Sequence, residues 1–236
     1  MSLLSVVQDA CRRIGIVVPN AVVSSNDAQV MQLMTLLNQE GQSLSERFDW
    51  QVLRKEATFT GVAADDQGAL SSIAGTDCKY IIPDTFWNRT LRRPVYGAIT
   101  PQDWQMLKAS PQTGPFQQYI LRGGHLLMIP NPSASQTLAF EYKTANWVLA
   151  SDLTTGKSAY SADDDSALLD EQIMTIGLIW RWRQAKGLEY AEDFRLYEGM
   201  VADAIARDKA PTTVDMTGMP RLRVPGTVVP YGNWSL

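Results

Sequence analysis

One histidine and two cysteines are the only imidazole and thiol groups in this chain of 236 residues. His125 alone excludes a multi-histidine metal centre. Cys11 and Cys78 have no CxxC partner, so neither a zinc site nor a disulfide framework can be built from them, and such usage fits an intracellular folding compartment. Charge of one sign is also missing. The chain carries 21 basic against 25 acidic residues, net −4, which excludes a polycation that binds nucleic acid by neutralising phosphates. No apolar run approaches the roughly 20 residues of a membrane span. Asp9, Arg12 and Arg13 interrupt the start, and no small-residue cleavage motif follows, so no signal peptide is expected. These absences lead to the expectation of a soluble protein made in a cytoplasm, without membrane contact. What is present is 45% apolar and 19% charged residues, enough for one large domain or two small ones with a real core.

Helical periodicity frames the chain. Leu4, Val7, Cys11 and Ile14 recur at steps of three and four, predicting a helix over about 3–14 that Gly15 ends. Val30, Leu33, Leu37, Gly41, Leu44 and Phe48 mark a second, with Ser25, Asn26 and Asp27 as capping oxygens. Gly41 on that stripe is expected to admit a close neighbouring backbone. After Asp163-Asp164-Asp165-Ser166, the residues Leu169, Ile173, Ile176 and Trp180 form a third stripe, widened by Leu168, Ile179 and Trp182. Lys186-Gly187-Leu188 is a stop signal: a cation for the dipole, a left-handed glycine and an apolar residue behind it. Tyr190, Phe194, Tyr197, Val201 and Ile205 then mark a fourth helix, ending near Asp208.

Between the pairs the period changes. Residues 55–60 and 79–83 read as short strands, and 119–122 and 125–129 flank Gly123-Gly124 as a hairpin with a two-residue turn. Leu138, Phe140 and Tyr142 alternate with Ala139, Glu141 and Lys143, as in a half-buried strand. Thr100-Pro101-Gln102-Asp103 opens one short helix. The expected fold is therefore α+β: a four-helix bundle from the N- and C-terminal pairs (1–50 and 151–208), an inserted small antiparallel β lobe (51–150) and an extended C-terminal arm (209–236). In that bundle Val30, Leu37 and Leu44 should pack against Leu169, Ile173 and Trp180.

Chemistry is scarce. Asp163, Asp164 and Asp165 lack the alternating oxygens, glycine and final glutamate of a calcium loop, and are expected to cap the following helix. Glu40 with Glu46, and Asp170 with Glu171, have no setting that would split their pKa values, so no glycosidase pair is read. Gly123-Gly124 opens no helix and is no phosphate cradle. Trp180, Trp182, Tyr190, Phe194 and Tyr197 are expected in the core, with Arg181 and Arg183 opposite. Neither catalytic residues nor a metal or other cofactor is expected.

The tail differs. Prolines at 211, 220, 225 and 230 forbid a long helix there. Yet Leu222, Val224, Val228, Val229, Tyr231 and Trp234 keep it apolar, with Arg221 and Arg223 among them, a composition suited to docking on a neighbouring chain. Fully stretched, such an arm spans on the order of 90 Å.

Four stretches in order, LLSVVQDACRRIGI, LMTLLNQEGQSLSERFDWQVL, FEYKTANWV and DDDSALLDEQIMTIGLIWRWRQAKGLEYAEDF, resemble the head-to-tail adaptor (connector) proteins of tailed phages, in particular the tail-tubular-A-like adaptors of short-tailed phages. The resemblance leaves out residues 60–118 and the tail. It implies a structural virion protein: a ring, commonly of twelve copies, beneath the portal protein, extending the DNA channel and receiving the tail nozzle. Genomic DNA would pass through the lumen without sequence-specific binding, and the arm would grip the portal. The alternatives are another tail or head-completion protein, or, from a different class, a phage cell-wall hydrolase.

Overall fold

The computed structural model describes residues 2–109 and 114–208. In chain order the elements are α1 (Leu3–Ile14), α2 (Ala28–Arg47), β1 (Arg54–Thr60), β2 (Asp66–Ala69), α3 (Leu70–Ala74), β3 (Cys78–Ile81), β4 (Trp87–Asn88), β5 (Arg93–Pro94) and α4 (Pro101–Ala109). They continue as β6 (Gln118–Arg122), β7 (His125–Ile129), β8 (Thr137–Thr144), β9 (Val148–Leu149), β10 (Gly156–Lys157), β11 (Ser166–Ala167), α5 (Glu171–Ala185) and α6 (Ala191–Asp208). The chain divides into two units, residues 2–54 with 145–208, and residues 55–144.

In the first unit the helix ends follow from local chemistry. Ser2 caps α1, and Gly15, at φ 80°, closes it with its N–H on the Cys11 carbonyl. Asp27 caps α2 by accepting from Gln29 N at 2.8 Å. Gly187, at φ 69°, and a 2.9 Å bond from Leu188 N to Arg183 O end α5. Around α5 pack α1, α2 and α6. Ile173, Met174, Thr175, Gly177, Leu178, Ile179, Trp180 and Trp182 are all buried, so the middle of α5 is covered nearly all round and serves as the hub of the unit. Strand β9 runs between β10 and β11, with Leu149 opposite both Gly156 and Ser166.

In the second unit β8 is flanked by β1, β4 and β3, and β5 extends the sheet beyond β4. A second sheet has the order β2-β7-β6. One core, including Phe86, Leu126, Met128, Leu138 and Phe140, draws on both sheets, with the rings of Phe86 and Phe140 5.2 Å apart. Gly123 (φ 58°) and Gly124 (φ 77°) make the β6–β7 turn, whose two positive φ angles suit the twist of a hairpin. Thr100 caps α4, accepting from Asp103 N at 3.1 Å.

The expected four-helix bundle with a small inserted β domain is not what forms. The described residues hold six helices and three antiparallel sheets, most strands lying in the middle of the chain. A helix wrapped by three others and a sheet inside the helical unit replace the bundle, because the apolar residues in the middle of α5 lie on more than one face and need cover from more than one side. Residues 55–144 carry two sheets and two helices of their own, which is no small lobe.

Finer expectations are corrected too. The three aspartates do not cap α5; Asp170 does, accepting from the N–H groups of Gln172 and Ile173. Gly41 admits the indole of Trp147 and not a backbone: a Cβ there would stand 2.1 Å from the ring. Lys143 is not on a solvated face of β8; it is buried, its ammonium 5.6 Å from the centre of the Tyr80 ring.

Candidate interaction surfaces

Burial, then the charge of Asp77, pushes the Cys78 thiol up to about 11, and burial raises that of Cys11, so both are protonated at neutral pH. His125 lies 2.9 Å from Asp66 through Nδ1, across the β2–β7 pair, where it serves the hairpin. Among the described residues no three His, Cys, Asp or Glu side chains cluster to hold a metal ion. Two of the aspartates ahead of α5 hold the chain together. Asp163 accepts from Val22 N (3.1 Å) and Val23 N (2.8 Å), pinning the connection after α1. Buried Asp165 accepts from Lys157 Nζ at 2.7 Å and from the N–H groups of Ser161 and Ala162 at 2.8 Å.

The strongest electrostatic feature was missed by pattern reading. Glu40 is fully buried and bonded to Arg181 Nε at 2.5 Å, and the Arg181 guanidinium stacks 4.6 Å from the centre of the Trp180 ring. Arg181 is therefore not on a solvated face. Burial, then the neighbouring Glu40 carboxylate, raises the Tyr197 phenol above its ordinary range. Glu40 lies three residues after Leu37 and four before Leu44, so the helical spacing itself placed this carboxylate on the buried stripe. The pair reads as a structural clamp between α2 and α5, because bulk solvent does not reach Glu40.

Two surfaces of the helical unit stand out among the described residues. A groove of about 340 Å³ is lined by Leu44, Trp50, Val52, Leu168 and Ile173, with Asp170, Arg207 and Asp208 on its polar side. Trp50 is fixed there by its indole N–H on the Leu44 carbonyl at 2.8 Å, and Gln51 N donates to Asp208 at 2.9 Å. Asp208 is also the last described residue. The second surface is the α5–α6 turn. There Leu188, Tyr190, Phe194 and Leu196 are exposed while Trp180 and Tyr197 beneath them are buried. Tyr190 and Phe194 thus leave the core expected for them.

The residues expected to form the arm interface, Arg221, Leu222, Arg223, Val224, Val228, Val229, Tyr231 and Trp234, lie outside the described residues. No described helix is long and apolar enough to cross a membrane. No protein-family model matches the chain, and no curated protein matches it.

Proposed function

We propose that this chain is a structural virion protein, a head-to-tail adaptor that assembles as a ring of about twelve copies below a portal and receives the tail nozzle. The twelvefold number comes from the resemblance alone. The observation that carries the reading is where the resembling stretches meet. LMTLLNQEGQSLSERFDWQVL supplies Glu40, Gly41 and Trp50; FEYKTANWV supplies Trp147; the α5–α6 stretch supplies Gly177 and Arg181. These residues pack on one another in one core, Trp147 on Gly41 and Glu40 against Gly177 and Arg181. Apart from residues 140–144, which belong to the second unit, the resembling stretches thus converge on one core, as they should if that core is what is shared. The protein acts by position and contact, without turnover, at the portal vertex of the virion. Its net charge of −4 suits a conduit from which DNA must slide free.

The test is to mix the purified chain with a portal protein from the same source and image the product by electron cryomicroscopy. A ring seated coaxially on the portal is expected. Binding away from the portal, or clearing of cell-wall material in a zymogram, would replace this reading with one of a different tail protein or a hydrolase.

A further inference from the structure

The net charge of −4 is unevenly divided along the chain. The helical unit carries 17 acidic against 10 basic residues, whereas residues 55–144 carry 8 basic against 7 acidic. Three of those eight, Arg89, Arg92 and Arg93, fall within five consecutive positions at the turn joining β4 to β5. Glu56 is ion-paired with Arg89. Among the described residues neither Arg92 nor Arg93 has an ion pair; Arg93 gives one N–H to the Pro115 carbonyl at 3.1 Å. The other acids of the unit are engaged elsewhere. Asp65, Asp66 and Asp77 pair with Lys108, His125 and Lys55, and Asp103 accepts from Thr100 Oγ1. Arg89 N donates to the Thr137 carbonyl, and Glu141 stands four residues further along β8, roughly 13 Å on an extended strand. Asp84 adjoins Thr85, whose hydroxyl accepts from Glu141 N at that far end.

The turn is also held in shape. Fully buried Asn88 donates through Nδ2 to the side chains of Gln117 and Gln136, at 2.8 Å each, and accepts from Leu91 N at 2.9 Å. Thr90 Oγ1 accepts from Thr137 N at 2.8 Å. Beyond these anchors Arg92 is exposed and sits at φ 55°, a left-handed conformation that favours glycine. We propose that the β4–β5 turn is a contact for the phosphate backbone of duplex DNA. Guanidinium groups take phosphate oxygens in pairs, and a backbone fixed beforehand aims them. A protein partner would call for an apolar centre, yet none of the large exposed apolar side chains belongs to residues 85–94. Two unpaired guanidiniums per copy give a weak, sequence-independent contact along which DNA can slide. The choice of DNA as the polyanion rests on the adaptor reading above.

The test is fluorescence anisotropy of a short labelled duplex of mixed sequence, titrated with the full chain over a salt series. Arg92→Gln with Arg93→Gln should weaken binding by about tenfold or more at low salt and lower the log–log salt slope by about 2. Arg92→Gln alone, at an exposed position, should lower that slope by about 1 while melting by circular dichroism stays as in the parent. Arg12→Gln with Arg13→Gln, on α1, should leave the affinity unchanged. A parent that does not bind the duplex at low salt, or a double variant that binds like the parent, overturns the contact. Equal loss in the α1 control overturns it too, since the attraction would then be diffuse. Tighter binding to labelled polyglutamate than to the duplex replaces DNA with an acidic protein. Seating on a portal without the DNA contact removes the turn and leaves the adaptor reading; the DNA contact without seating does the reverse.

Discussion

Gly41 and Gly177 decide how closely the pieces of the helical unit can approach. A Cβ at Gly41 would meet the Trp147 ring at 2.1 Å, and one at Gly177 would meet the Glu40 carboxyl carbon at 2.5 Å. Both obstacles are themselves buried and cannot swing aside, so Gly41→Ala and Gly177→Ala should each destabilise by about 1–3 kcal/mol or more in urea unfolding, despite the better helix propensity of alanine. Gly199, in α6, has nothing within 4 Å of its notional Cβ, so Gly199→Ala should stabilise by up to about 1 kcal/mol. Asp165 provides the pH test. Burial would raise its pKa, but Lys157 and two backbone N–H groups outweigh burial and hold it below the ordinary carboxylate value. A depressed folded pKa gives stability that is complete above the unfolded value near ~4 and is lost as pH falls through the folded one. Asp165→Asn should cost roughly 1–3 kcal/mol at neutral pH. Urea titrations should then show the gap between parent and variant narrowing below about pH 4.

At the scale of elements, α5 is the member on which the helical unit depends. Glu40 of α2 is bound to Arg181 of α5 where water does not reach the carboxylate. Arg181→Met should therefore cost about 3–5 kcal/mol, because a buried charge loses its partner. Adding Glu40→Met should recover much of that loss, and a double-mutant cycle in urea would read the coupling. Leu37, fully buried on the face of α2, should cost roughly 2–5 kcal/mol as Leu37→Ala. A variant that melts like the parent would remove α2 from the core.

For the whole molecule, each of the two units has a buried apolar core among the described residues. Ending the chain after Lys209 should leave melting temperature and helicity nearly unchanged. On the adaptor reading it should nevertheless abolish attachment to the portal, read by co-sedimentation of the truncated and full chains. Arg221→Ala with Arg223→Ala should weaken attachment in a salt-dependent way, and Trp234→Ala regardless of salt. Truncated protein that attaches at the parent's concentration would move the attachment to the helical unit.

The amino-acid sequence by itself determined the long periodic elements and several of their ends, though not the cap of α5. The α2 stripe, the Gly187 stop, the Thr100 cap and the Gly123-Gly124 turn are set by side chains within a few residues of one another, so local chemistry suffices. Only the tertiary structure decided the rest. The two-residue strands β4, β5, β9, β10 and β11 are too short to show a period and exist through their pairing, β4 with β8 and β5, and β9 with β10 and β11. The tasks of Asp163 and Asp165 depend on a connection some 140 residues away and on Lys157, and no spacing rule reports them. Glu40 was placed on the buried stripe by its spacing, but its partner Arg181 became visible only once α2 and α5 packed. The exposed apolar turn between α5 and α6 was illegible for the same reason. Periodicity reports which side chains share a face, while burial depends on whether another element arrives to cover it.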